Sequence, residues 1–171
     1  DVCSSDLLED TLIGFRLEPW RKSLRKRLTS QPKFYLFDCG VTNAINHSLF
    51  AGFDHFYRGR LFEQFIIQQT RYTLEYVDRS CEFFFWRTNH GSEVDLLIRK
   101  HDRFVAAIEI KHASMIDRSH LRGLKVFAQE HPDVPRYVVA TVLNPFELEG
   151  TIILPWKKYL SEFEEIAAGN G

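Results

Sequence analysis

The feature that most restricts the fold of this chain is a run of three strand-like segments separated by very short turns. The segments are CEFFFWR (81–87), SEVDLLIRK (92–100) and FVAAIEIK (104–111), and all three are rich in aromatic or β-branched residues. The connections are too short to hold the crossover that parallel neighbours require. The sequence therefore predicts two antiparallel hairpins.

One helical pattern precedes the hairpins, and two more lie on either side of the strands that follow the hairpins. Residues 58–76 place apolar side chains at helical spacing, and a second helical pattern covers 121–128. RYVVAT (136–141) is a fourth strand, TIILPW is a short fifth, and 156–167 is a closing helix. The order helix, three strands, helix, strand predicts a layered α/β domain over residues 38–171.

The first 37 residues follow a different pattern. Apolar residues between Leu7 and Ile13 indicate the end of an amphipathic helix, and FRLEPW and KFYLFD are two extended segments. Between them, RKSLRKR (21–27) holds five basic side chains in seven positions. A helix end followed by a two-stranded basic hairpin is what remains of a winged helix cut in the middle, so residues 1–37 are predicted to be such a remnant.

The basic run has two interpretations. Clustered Lys and Arg side chains can hold nucleic-acid phosphates, whereas most charge runs are a solvated surface. A domain that binds nucleic acid through charge alone is usually far more basic than this chain, whose net charge is −1. The candidate nucleic-acid contacts are Arg21, Lys22, Arg25, Lys26 and Arg27.

Composition excludes several classes of protein. A hydrophobic content of 44% with almost no net charge is not that of a disordered chain. No apolar run approaches the roughly 20 residues of a membrane-spanning helix, and the N-terminus lacks a signal-peptide pattern. Cys3, Cys39 and Cys81 are odd in number and widely spaced. The sequence predicts a soluble, cytoplasmic protein without a disulfide bond or a membrane partner.

Two charged side chains lie within the apolar strand VAAIEIK. Because strand side chains alternate between faces, Glu109 and Lys111 point the same way, opposite Ile108 and Ile110. The tight turn before this strand would bring Asp95 beside Glu109. A carboxylate pair in such apolar surroundings is costly to desolvate, and the like charges raise the pKa of one of them.

A hard divalent cation would remove that cost. Mg²⁺ takes one or two carboxylates together with waters and substrate phosphate oxygens, and Lys111 could then orient or help deprotonate an attacking water. Glu63, near the start of the long helix, could add a third acid. The alternative is a buried salt-bridge network of Asp95, Glu109 and Lys111, and the spacing alone does not decide between the two.

The side chains of the strand SEVDLLIRK (92–100) also alternate between faces, which predicts that Glu93 and Asp95 share one face. Val94 and Leu96 are then expected on the other face.

The arrangement SEVDLL followed by AIEIK resembles the core of the PD-(D/E)XK nuclease-like superfamily, whose common core is helix, three strands, helix, strand. More closely, several blocks resemble one family: the domain of unknown function found C-terminal to an AAA-type ATPase module in prokaryotic ATP-binding proteins. The resemblance runs from about Leu7 into the 150s. It is carried by LLEDTLIGFRLEPWRKSLRKRL, KFYLFDCGVTNAI, GRLFEQFIIQQ, WRTNHGSEVDLLI and AIEIKHAS.

This resemblance implies a restriction-endonuclease-like α/β core and a role for each matching residue. Glu63 of GRLFEQF would be the helix acid, and Lys111 the catalytic lysine. Asp95 and Glu109 would be the metal ligands, for Mg²⁺. All four residues are present in this chain.

The chain also departs from the pattern. Val94 stands where the superfamily name has proline, and His112 follows Lys111 where small residues are more usual. No G-x-x-x-x-G-K-[ST] loop occurs in the sequence, so ATP would act only through an ATPase module that this chain lacks.

The leading functional interpretation is Mg²⁺-dependent phosphodiester hydrolysis on DNA, with the AAA-type ATPase module of the parent chain as a partner. One alternative is a catalytically silent module that binds nucleic acid or docks onto the ATPase. Another is a toxin–antitoxin or defence-type regulator that the ATPase controls. If Asp95, Glu109 and Lys111 do not meet in one open cleft, the enzyme interpretation fails.

Overall fold

A computed structural model describes residues 4–20, 31–46, 54–77 and 80–167 of the chain. The helices of the described residues are α1 (Ser4–Asp10), α2 (Cys39–Ile45), α3 (His55–Val77), α4 (Arg122–Glu130) and α5 (Trp156–Ala167), and a 3₁₀ turn (Arg118–Leu121) leads into α4. The strands are β1 (Gly14–Pro19), β2 (Lys33–Leu36), β3 (Cys81–Arg87), β4 (Glu93–Lys100), β5 (Arg103–Lys111), β6 (Arg136–Ala140), β7 (Phe146–Leu148) and β8 (Thr151–Pro155).

Eight strands of the described residues form one mixed sheet, in the order β2-β1-β3-β4-β5-β6-β8-β7. Strands β3, β4 and β5 are antiparallel neighbours, as predicted, and β6 is parallel to β5. The mixed α/β architecture is therefore confirmed. The predicted run of helix, three strands, helix and strand corresponds to α3, β3–β5, α4 and β6.

The turn between β4 and β5 is a two-residue connection of the kind that closes tight hairpins. Both of its residues have positive φ, 47° at His101 and 63° at Asp102. Two successive left-handed residues match the right-handed twist of the flanking strands. This tight connection fixes Asp95, near the start of β4, close to the end of β5.

The sheet separates two hydrophobic cores. On one face, Ile108 packs with Ile66 of α3 and Tyr159 of α5. On the other face, Val138 packs with Phe127 of α4. Because both faces are covered, the central strands are buried along most of their length, and polar side chains in them need a specific reason to be there.

The faces of β4 differ from the simple alternation that the sequence predicts. Two steps along β3, from Phe84 to Trp86, correspond to three steps along β4, so β4 carries one extra residue. Val94 lies in the core beside α4, whereas Leu96 lies in the core beside α3 and α5. The prediction that Val94 and Leu96 share a face is wrong, because this bulge reverses the alternation next to Asp95.

The two extended segments near the N-terminus form an antiparallel hairpin, β1–β2. Strand β1 also pairs with β3 in parallel, so the hairpin belongs to the same sheet as the rest of the chain. The five basic residues of the 21–27 run lie outside the described residues, as does Cys3. Within the described residues, neither Cys39 nor Cys81 forms a disulfide bond. None of the described helices combines the length and apolar character needed to cross a bilayer.

Replacing Gly123 with alanine is expected to destabilise the fold by about 3 kcal/mol, because α4 lies against the backbone of β4 at this point. A Cβ atom there would lie 1.7 Å from the carbonyl oxygen of Glu93. Urea denaturation measures the change. Gly59→Ala is the matched control: its Cβ would meet nothing within 4 Å, and the helix should gain about 0.5–1 kcal/mol. Equal stability of the two variants would contradict the close packing of α4 on β4.

Candidate functional site

Asp95, Glu109 and Lys111 meet where β4 begins and β5 ends. Both carboxylates are buried, each residue being 7% exposed. The backbone N–H of Ile110 donates to Asp95 Oδ2 at 2.8 Å. Lys111 Nζ lies 2.5 Å from Glu109 Oε1 and 4.0 Å from Asp95 Oδ2. The predicted grouping of these three side chains at one edge of the sheet is thus present in the fold.

Glu63 joins this group through a lysine that the sequence analysis did not single out. Glu63 Oε1 accepts hydrogen bonds from Lys33 Nζ at 2.9 Å and from the Tyr35 hydroxyl at 2.6 Å. The same ammonium lies 2.5 Å from Glu93 Oε1 and 3.8 Å from Asp95 Oδ1. Lys33 therefore sits among carboxylates from α3 and β4.

Strand β2 is tied to α3 by buried amide side chains, which explains why Lys33 reaches this position. Gln64 and Gln68 are buried on α3. Both side-chain amides donate to the Leu36 carbonyl, Gln64 at 3.0 Å. Because side chains two apart on a strand share a face, Lys33 and Tyr35 both point to Glu63.

The charge balance favours an ionised pair of Lys33 and Glu63. Burial alone would lower the pKa of the Lys33 ammonium, but the carboxylates of Glu63 and Asp95 outweigh burial and raise it. Burial would likewise raise the pKa of Glu63, but the Lys33 charge outweighs it and the pKa is lowered. Burial and the Glu63 carboxylate together raise the pKa of the Tyr35 phenol, so Tyr35 stays a neutral donor.

The pKa values of Asp95 and Glu109 are raised, whereas that of Glu63 is lowered. Burial, and then the nearby Glu63 charge, raise the pKa of Asp95 to about 6. Burial, and then the Asp95 charge, raise the pKa of Glu109 to about 8, even though Lys111 opposes the shift. Glu109 Oε2 is buried and has no hydrogen-bond partner among the residues that the structure describes. Among the described residues, these two acids therefore have too little neighbouring positive charge and too few donors to offset their burial.

A cavity of about 230 Å³ opens beside Glu93 and Glu109. One side is formed by charged side chains of β4 and β5, and the other by the 3₁₀ turn and the first turn of α4. Its lining includes Glu93, Glu109, Lys111, Ser119, His120 and Arg122. Glu109, whose Oε2 is buried, is one of the residues that line this cavity.

Within the described ranges, no three Asp, Glu, His or Cys side chains form a group that could hold a metal ion as they stand. Two ammonium groups, those of Lys33 and Lys111, lie among the acids. Of the described residues, Asp95 and Glu109 fit a hard divalent cation best, because both offer buried carboxylate oxygens and one of those oxygens has no hydrogen-bond partner among the described residues.

The raised pKa of Glu109 predicts how the metal-free protein responds to pH. The pKa is about 8 in the folded state and 4.5 as its ordinary value. Between these values the folded state holds a proton that the unfolded state has lost, so this group's contribution to stability falls as pH rises towards 8.

Urea denaturation in EDTA at pH 5, 7 and 9 checks this expectation. Glu109→Gln, which cannot ionise, should lose less stability over this range than the wild type does. The exposed Glu164→Gln variant should follow the wild type. A Glu109→Gln curve parallel to that of the wild type would show that Glu109 is ionised throughout.

The sequence patterns do not predict three residues of this cluster as site members. Strand alternation predicts Glu93 on the face of Asp95, whereas Lys33 and Tyr35 are predicted only as part of an extended segment. The usable signal was their spacing of two residues, which puts a basic and a phenolic side chain on one face of β2. Only the pairing of β1 with β3 shows that this face adjoins the acids.

Comparisons with known proteins identify two family models along the chain. The model described as "Domain of unknown function (DUF4143)" matches residues 58–159, which is more than half of the chain. A second, "Domain of unknown function (DUF8612)", matches residues 4–51. No curated protein and no solved structure matches the chain. Lys33 and Tyr35 lie in the second matched segment, and the four acids and Lys111 lie in the first.

Proposed function

We propose that this chain, which belongs to the DUF4143 family, carries a Mg²⁺-dependent nuclease site that hydrolyses phosphodiester bonds in DNA. The observation that carries the proposal is the buried Oε2 of Glu109, which has no hydrogen-bond partner within the described part of the chain, in a residue that lines a cavity together with Lys111 and Arg122. A buried carboxylate with a strongly raised pKa in a cleft is typical of functional sites.

The order of elements supports a restriction-endonuclease-like core as the finer description of the fold. Helix α3, strands β3–β5, helix α4 and strand β6 follow the order of the superfamily that the sequence resembles. The bulge in β4 next to Asp95 is of the kind that re-aims a side chain beside an active site. A winged-helix remnant over residues 1–37 remains part of the proposal.

Asp95 and Glu109 would hold the cation, and Glu63 would support the site as the acid of α3. A bound Mg²⁺ would neutralise the two acids and polarise a phosphoryl oxygen. The Lys111 ammonium, 2.5 Å from Glu109 Oε1, would orient the attacking water and stabilise charge that develops on the phosphate.

The cationic side of the cavity suits a phosphate group. Arg122 lines it together with Lys111. A guanidinium binds phosphate oxygens in a two-pronged arrangement that an ammonium cannot make. We therefore assign the phosphate next to the reacting one to Arg122.

A second candidate is a catalytically silent module that binds nucleic acid or docks onto an ATPase. It is favoured by the ion pairs of Lys33 and Lys111, which already neutralise much of the acid cluster. In that case the cluster would be a structural network. Removing one partner of such a network would strand a buried charge and destabilise the fold.

The setting of the domain is also a proposal. The family resemblance suggests a cytoplasmic prokaryotic protein in which an AAA-type ATPase module precedes this domain. Any role of ATP would then depend on that module.

The basic run at 21–27 is expected to contribute phosphate contacts. Neutralising Arg21, Lys22, Arg25, Lys26 and Arg27 should weaken binding to all DNA sequences alike and flatten its dependence on salt, because fewer counterions are released. Fluorescence anisotropy at several salt concentrations measures both effects. Unchanged affinity and salt slope would leave the run as an ordinary solvated surface.

A cleavage assay tests the proposed function. The wild-type chain is incubated with single-stranded and double-stranded DNA in Mg²⁺, in Mn²⁺ and in EDTA. We expect cleavage of at least one substrate that requires the cation. Binding without cleavage in every condition, for the wild type and Lys111→Ala alike, would favour the silent module.

A further inference from the structure

Lys33 and the acids it contacts come from different parts of the chain. It begins β2, within the segment matched at residues 4–51, whereas Glu63, Glu93 and Asp95 lie within the segment matched at 58–159. The hairpin thus inserts one ammonium into a cluster of carboxylates that belongs to the other segment. A lysine at this position is not needed to build the sheet, since the pairing of β1 with β2 uses backbone groups.

A divalent cation would compete with the Lys33 ammonium for the same carboxylate oxygens. Its Nζ lies 2.9 Å from Glu63 Oε1, 2.5 Å from Glu93 Oε1 and 3.8 Å from Asp95 Oδ1. On a further side, the ammonium is 5.4 Å from the centre of the Phe85 ring. An ammonium and a divalent cation that share the carboxylate of Asp95 in a buried site repel each other strongly.

We infer that Lys33 is a built-in counter-ion that holds the acid cluster in a metal-free, inactive state and must withdraw before a divalent cation binds at Asp95. This inference rests on the proposed function, because it assigns the regulation of the same site. The β1–β2 hairpin is then a control element. Displacement of Lys33, the first residue of β2, opens the site.

Mn²⁺ binding to the whole chain tests the inference without a cleavage assay. Isothermal titration compares the wild type with Lys33→Gln, which removes the charge, and with Lys158→Gln, which removes the charge of a surface lysine paired with Glu162 on α5. Lys33→Gln should bind Mn²⁺ about tenfold more tightly, because one repelling charge is gone. Lys158→Gln should bind as the wild type does.

The outcomes separate this inference from the proposed function. If the wild type and Lys33→Gln bind Mn²⁺ equally, and Glu109→Gln abolishes binding, the inference is overturned and the proposed metal site stands. If neither the wild type nor Lys33→Gln binds Mn²⁺, both are overturned. Binding by Lys33→Gln that is tighter than wild-type binding and is lost in the double variant with Glu109→Gln supports both.

A second measurement uses the wild-type chain and so does not depend on the folding of a variant. Limited acetylation followed by mass spectrometry reports how exposed each lysine amine is. Adding Mg²⁺ should raise the acetylation rate of Lys33 several-fold and leave that of Lys158 unchanged. An unchanged or lower rate at Lys33 would overturn the inference.

Discussion

Replacing Lys111 with alanine is expected to lower cation-dependent cleavage of DNA by about 10²- to 10⁴-fold, the usual contribution of one positioned acid–base group. We expect this loss because the Lys111 ammonium lies close to Glu109 and Asp95, and because Lys111 lines the cavity beside Glu109. The fold should survive the loss, because Glu109 can take up a proton when its cationic partner is removed.

The measurement is the initial rate of cleavage with Mg²⁺ in excess. Lys158→Ala removes a surface lysine that pairs with Glu162 and should keep the wild-type rate. Circular dichroism checks that both variants are folded. Full activity in folded Lys111→Ala would mean that this lysine has no part in the reaction.

The second large effect is expected in thermal stability. A ligand that binds only the folded state stabilises it by about 2.7 kcal/mol at a concentration 100 times its Kd. For a chain of this size that corresponds to a rise in Tm of about 5–10 °C. Mg²⁺ should produce such a rise in the wild type, because it supplies the positive charge that Asp95 and Glu109 lack.

Glu109→Gln should abolish that rise. Without Mg²⁺, its Tm should equal or exceed that of the wild type, since the change removes a buried group that is costly to ionise. Glu164→Gln, on the exposed side of α5, should respond to Mg²⁺ as the wild type does.

The alternative makes the opposite prediction. If the acids and lysines form a closed structural network, Mg²⁺ will leave the wild-type Tm unchanged. Lys111→Ala will then destabilise the fold by about 3–5 kcal/mol, because it strands a buried carboxylate. Differential scanning fluorimetry of the wild type and these variants distinguishes the two accounts.

Much of the fold followed from local patterns. Short turns fixed β3, β4 and β5 as antiparallel neighbours, and the spacing of two between Glu109 and Lys111 placed both side chains at one site. The tight connection at His101 and Asp102 then brought Asp95 to them. Each of these steps depends on residues that are close in sequence.

What the sequence did not predict depends on contacts between distant residues. The parallel pairing of β1 with β3 brings Lys33 to the acids, and no pattern within β2 specifies that neighbour. The bulge that redirects β4 depends on how β3 and β4 align across the sheet, not on the composition of either strand. Lys33 and Tyr35 were therefore missed as site residues, although Glu63 was found.

The central claim is that Asp95 and Glu109 together hold one divalent cation. Anomalous X-ray scattering from crystals grown with Mn²⁺ tests it most directly. We predict a single anomalous peak within about 2.0–2.5 Å of a carboxylate oxygen of each residue, and no such peak in Glu109→Gln crystals. Well-ordered wild-type crystals with no peak between these two carboxylates, at saturating Mn²⁺, would contradict the claim.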